Sequence, residues 1–127
     1  MTVDQDLSIA ESDVRSTAIN QYLQPGIFID SDHPAVEAFT EKALEGAGPT
    51  PIARAIALYY AVRDGLRYDP YSMDMAGVNF TASTIAKQQA AFCIPKAILL
   101  TACARAAAIP ARIGYADVRN HLCSPKL

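Results

Sequence analysis

Apolar residues recur at helical spacing in three stretches of the chain. In the clearest, Ile52, Ile56, Tyr59 or Tyr60, and Val62 or Arg63 mark the faces of one helix. Thr50 can cap it, Pro51 suits the first helical position, and no glycine interrupts before Gly65. Upstream, Val36, Phe39 and Ala43 with Leu44 keep the same spacing. Asp32 is the expected N-cap there, Pro34 fits the first turn, and Gly46 or Gly48 ends the helix. A third helix is expected from near Cys93 to Ala108. Pro95 is tolerated only in a first turn, so it fixes the start at or just before Ile94. Ile98, Leu99 and Thr101–Cys103 give this helix an apolar surface, and Ala102, Ala104, Ala106, Ala107 and Ala108 are small. Small side chains admit close neighbours, which predicts a central, largely buried helix.

The remaining pattern is weaker. Residues 1–21 are polar without a steady period, allowing a loose helix from Ser12 to Tyr22. "TASTIAKQQA" reads as a short helix capped by Thr81 or Ser83. Asp69-Pro70 breaks regular structure, and Tyr71–Asn79 reads as a loop. In "IPARIGYADV", Ala111, Ile113 and Tyr115 alternate with Arg112, Gly114 and Ala116, which predicts a strand. A strand needs partners for its N–H and C=O groups. The expectation is that Ile27–Ile29 pairs with it, or another chain does, or the protein continues beyond Leu127.

Length and charge narrow the classes. A chain of 127 residues is read as a single domain, and 51% hydrophobic residues are enough for a core. The net charge of −2 and scattered basic residues exclude a clustered nucleic-acid face. No apolar run approaches the ~20 residues that span a bilayer. The acidic opening "MTVDQDLSIAESDVR" lacks the features of a secretory signal, so a cytoplasmic location is expected. Cys93, Cys103 and Cys123 match no zinc or CxxC spacing, and no metal or cofactor is expected. Cys93 and Cys103 would lie ~15 Å apart on one helix, too far to bridge.

Cys93 is the candidate site residue. At a helix N-terminus, unpaired N–H groups and the macrodipole favour an anion, and a thiolate is one. Lys96 adds positive charge one turn on if it points that way, and Phe92 can wall the site. The competing reading is a buried small hydrophobe, and position alone weighs the two evenly. A cysteine nucleophile needs a base, usually histidine held by Asp or Asn. His33 reads first as a helix-cap residue. His121, with Asp117 or Asn120 beside it, reads first as a strand-end residue bonded to backbone. Cys103 reads as a core thiol and Cys123 as a tail residue. Arg67, Tyr68, Asp69 and Tyr71 can line a cleft, although an Arg–Asp pair at a helix end is commoner. Gln88 and Gln89 can face an oxyanion, although helix-surface glutamines are commoner.

The segment "FCIPKAILLTACARAAAIPARIGYADVRNHL" resembles the nucleophile segment of the transglutaminase-like superfamily, in particular its bacterial cysteine-peptidase relatives. The matching parts are Cys93, Lys96-Ala97, Leu99–Ala107 and Ile109–Arg112, with Ala55–Pro70 and the approach "TASTIAKQQAAFC" also similar. The resemblance implies an α+β, cysteine-proteinase-like core, here mostly helical with one or two strands and an incomplete sheet. It implies Cys93 as the nucleophile of thiol-dependent acyl transfer on a protein, peptide or amide substrate. The family has Gly shortly before the cysteine, where this chain has Ala91-Phe92. Its catalytic His and Asp lie downstream of the "PAR" strand, and nothing in Gly114–Leu127 matches them, so His121 is not assigned the base role. The chain therefore resembles the N-terminal, helix-rich part of a longer domain. It is expected to have little turnover alone and to self-associate through an exposed sheet edge. The alternative is a non-catalytic helical interaction module with an inert Cys93.

Overall fold

The computed structural model describes residues 18–71 and 80–117. Helix α1 spans Pro34–Leu44 and α2 spans Pro51–Gly65. Strand β1 is Arg67–Tyr68, α3 is Ala82–Ile85, β2 is Ala90–Ala91, and α4 is Cys93–Ala106.

Proline lies in the first turn of α1, α2 and α4, and the first two of these have side-chain caps. Thr50 caps α2 as expected, its Oγ1 accepting the Ala53 N–H at 3.1 Å. At α1 the cap is His33 rather than Asp32: the extended His33 accepts the Ala35 N–H on Nδ1 at 3.0 Å. The residue directly before Pro34 is the one in cap geometry, which leaves Asp32 exposed one step too early. Past α1, Gly46 takes a positive φ of 76° and turns the chain toward α2. For α3, Asp30 reaches across the fold, its Oδ1 accepting the Ser83 N–H at 3.0 Å.

Helix α4 is the centre, packed against α1, α2 and α3. Ile98, Leu99, Thr101, Ala102, Cys103 and Ala104 are all buried, so the middle of the helix is covered on nearly every side. Alanine makes that possible, because neighbouring helices can approach its small faces closely. The largest fully buried side chains are Leu58, Leu66, Ile85, Leu99, Val36 and Cys103. Burying each leucine contributes roughly 1.5–3 kcal/mol. Buried Thr101 and Thr40 lose no hydrogen bonds, since each hydroxyl donates to the carbonyl one turn back, Ala97 O and Val36 O, at 2.8 Å.

Helix α4 stops at Ala106, two residues short of the expected Ala108. The cause is a Schellman closure. The Ala108 N–H donates to Arg105 O at 3.0 Å and the Ile109 N–H to Ala104 O at 2.8 Å. Ala108 sits at the left-handed position with φ 62°, where glycine is usual, and Pro110 follows to prevent continuation.

The fold is α+β and mostly helical, but its sheet is not where alternation placed it. β1 and β2 pair in parallel, Arg67 opposite Ala90 and Tyr68 opposite Ala91. A parallel pair needs a crossover, and the connection carrying α3 supplies it. Residues 111–117 form no strand. The Ala111 N–H donates to Tyr22 O, and Ala111 O accepts from Arg105 Nε at 2.9 Å, so these groups are satisfied without a ladder. Ile27–Ile29 is no strand either: the Gly26 N–H closes a turn on Ile29 O, and Phe28 O takes the Ala82 N–H. Among the described residues, no helix is long and apolar enough to cross a membrane.

Candidate active site

Cys93 is placed by the segment before it. Buried Leu66 anchors the start of β1, and β1 holds β2 through Arg67 N–H to Gln89 O at 2.9 Å and Asp69 N–H to Ala91 O at 3.1 Å. Ala91 is buried, Phe92 is extended at the N-cap position, and Cys93 is the first residue of α4. The Cys93 thiol is free and exposed. The first helical bond runs from the Lys96 N–H to Phe92 O at 3.2 Å. Among the described residues, the N–H groups of Cys93 and Ile94 have no acceptor, and Phe92 offers no side-chain cap. Buried Pro95 pins this end to the core. Phe92 meets Phe80 edge to face, ring centroids 6.4 Å apart.

Lys96 does not face Cys93. Its Nζ donates to Arg63 O at 2.9 Å, closing the last turn of α2. An unpaired helix-end carbonyl attracts an ammonium, and that local demand decides the rotamer. Arg63 itself stacks over Tyr60, 4.5 Å from the ring centroid, and forks onto Asp64 through two hydrogen bonds.

The other candidates are dispersed. His33 serves as the α1 cap. Asp117 is described and exposed, whereas His121, Asn120 and Cys123 lie outside the described residues. Among the described residues, no histidine or carboxylate is hydrogen-bonded to Cys93, and no group of three metal-ligating side chains converges. Gln88 is half-buried beside a groove between α1 and α2, and Gln89 is exposed and contributes its backbone carbonyl to the sheet. Arg67 and Asp69 form an ion pair at 3.9 Å just past α2, and Asp69 Oδ1 accepts the Tyr71 N–H. Cys103 is a core thiol: burial pushes its pKa up to about 11, opposed to a smaller degree by the nearby Thr40 side chain.

Arg105 is a structural tie at the far end of α4 without a strong sequence signal. Its Nη1 donates to Gln24 O and its Nε to Ala111 O, both at 2.9 Å, so it ties the segments on either side of the helical core. The one available hint is a basic residue in the last turn of a helix.

A family model described as the transglutaminase-like superfamily matches residues 37–123, which include α2, the sheet, and Cys93 with the whole of α4. Comparison with curated proteins and with solved structures finds no match. Because the match covers more than half of the sequence and takes in both the sheet and the helix it feeds, the chain belongs to the transglutaminase-like superfamily.

Proposed function

We propose that Cys93 is the nucleophile of a thiol-dependent acyl transfer from an amide, ending in hydrolysis or in transfer to an amine. The observation that carries this is an exposed thiol opening a buried helix whose first N–H groups are unpaired. The Cys93 thiolate attacks the carbonyl carbon, an S–C bond forms, and the carbonyl π electrons move to oxygen. The N–H groups at the start of α4 are donors for that oxyanion. Collapse breaks the C–N bond and leaves a thioester, which water or an amine then attacks. The departing amine must take up a proton, which requires a general acid. Among the described residues none is hydrogen-bonded to Cys93.

An activated ester separates the two halves of this reading, because p-nitrophenolate leaves without a proton. Incubation with p-nitrophenyl acetate should release one equivalent of p-nitrophenolate per chain and leave an acetyl group on Cys93 by mass spectrometry. Cys93→Ser should abolish that burst. No acylation of Cys93 would sink the nucleophile and favour an inert interaction module. Rapid Cys93-dependent amide turnover would instead show that a general acid reaches the thiol.

A further inference from the structure

An open groove of about 910 Å³ runs between α1 and α2 and is also lined by Ala86, Lys87 and Gln88 after α3. Cys93 does not line it. Its floor comes from Ala38 and Phe39 on α1 and from Ala57, Ala61 and Gly65 on α2. Ala35, Ala38 and Lys42 on α1, and Ala57, Ala61 and Gly65 on α2, recur every three to four residues, so each set shares one face. Side chains this small leave space that larger ones would fill, and a Cβ added at Gly65 would meet only Phe39, at 3.8 Å.

The charges on the groove are uneven. Lys42 on α1 and Lys87 after α3 both line it, both are exposed, and neither makes an ion pair or side-chain hydrogen bond among the described residues. Asp64 also lines it but is committed to Arg63, whose hydrogen bonds hold its pKa below the ordinary carboxylate range. Two unpaired ammonium groups on separate elements thus meet one apolar trough. The volume falls within the ~300–1,000 Å³ common for small-molecule sites, which combine apolar walls with a few polar anchors.

We propose that this groove binds a small amphiphilic carboxylate, its apolar body on the alanine floor and its head at Lys42 and Lys87. Charge complementarity selects this occupant, because apolar walls alone would not discriminate an acid from an alcohol.

The test is an NMR titration of the full chain, labelled at alanine methyls, with sodium decanoate below its critical micelle concentration. Saturable shifts are expected at Ala38, Ala57 and Ala61. The double variant Lys42→Gln/Lys87→Gln should weaken binding about tenfold, as should replacing decanoate by 1-decanol. Ala38→Leu, at an exposed position, should block binding while leaving the remaining spectrum and Cys93 acylation unchanged. Absence of saturable shifts, or equal affinity for acid and alcohol with the lysine variant unaffected, overturns the proposal. Shifts of the same methyls on concentrating the unliganded protein would make a second copy the occupant and overturn it too.

Discussion

Cys93 and Cys103 lie ten residues apart on one helix and occupy opposite environments. Cys93 opens α4 in solvent beside unpaired N–H groups. Cys103 is fully buried, and burial pushes its pKa up to about 11. The residue type and the helix are the same, so the difference comes from what surrounds each end. At the tip, β2 and Phe92 deliver the chain and leave Cys93 and Ile94 exposed. In the middle, α1, α2 and α3 enclose the helix. A reactive thiol and a structural thiol are thus two positions along one element.

The largest expected effect is in thiol chemistry. At pH 7 a thiol with a pKa near 11 is thiolate in about one molecule in ten thousand, and burial adds steric protection. Iodoacetamide should therefore label Cys93 in the native protein at least ~1,000-fold faster than Cys103, with Cys103 labelled only after denaturation. Comparable native rates in peptide mapping would collapse the contrast between the two ends.

Stability should divide the same way. Leu99 is fully buried at the middle of α4, and Leu99→Ala should cost ~2–5 kcal/mol in urea unfolding. Cys93→Ser at the exposed tip should stay within ~0.5 kcal/mol of the parent. Similar losses for both would mean that the tip is packed as the middle is.

A smaller effect separates the thiols through pH. The folded-state pKa of Cys103 is raised, so the unfolded chain releases this proton first. Its contribution is therefore complete below about pH 9 and is lost as pH rises toward about 11. Stability should fall across that window by up to ~2 kcal/mol through this group. Cys103→Ala should flatten that part of the profile, and Cys93→Ser should leave it in place. An unchanged slope in Cys103→Ala would show that other groups dominate.

Much of the helical frame was legible in the chain. Thr50-Pro51 marks the start of α2, and Pro95 confines the start of α4 to within two residues of Cys93. These signals are local, because proline's fixed φ and missing N–H act on the turn that contains it. Cys103 was legible as a core thiol for a related reason, since its alanine neighbours let other helices close on it. The cap of α1 was missed by one residue because Asp32 and His33 both carry acceptors, and only the backbone geometry separates them.

The sheet was misread for a different reason. Arg67–Tyr68 and Ala90–Ala91 are two residues each, too short to show any alternation. Residues 111–117 do alternate, yet the Ala111 backbone is satisfied by Tyr22 and Arg105. Lys96 follows the same rule, since the carbonyl it bonds belongs to Arg63, 33 positions away.

By itself, the sequence determined where the helices begin, that α4 is the buried one, and that Cys93 stands at its mouth. Each follows from covalent geometry and side-chain size within a few residues. Only the tertiary structure decided which segments pair as strands, that Lys96 caps α2 rather than facing Cys93, and that an alanine-floored groove opens between α1 and α2. Those outcomes depend on partners distant in the chain, whose approach no local pattern encodes.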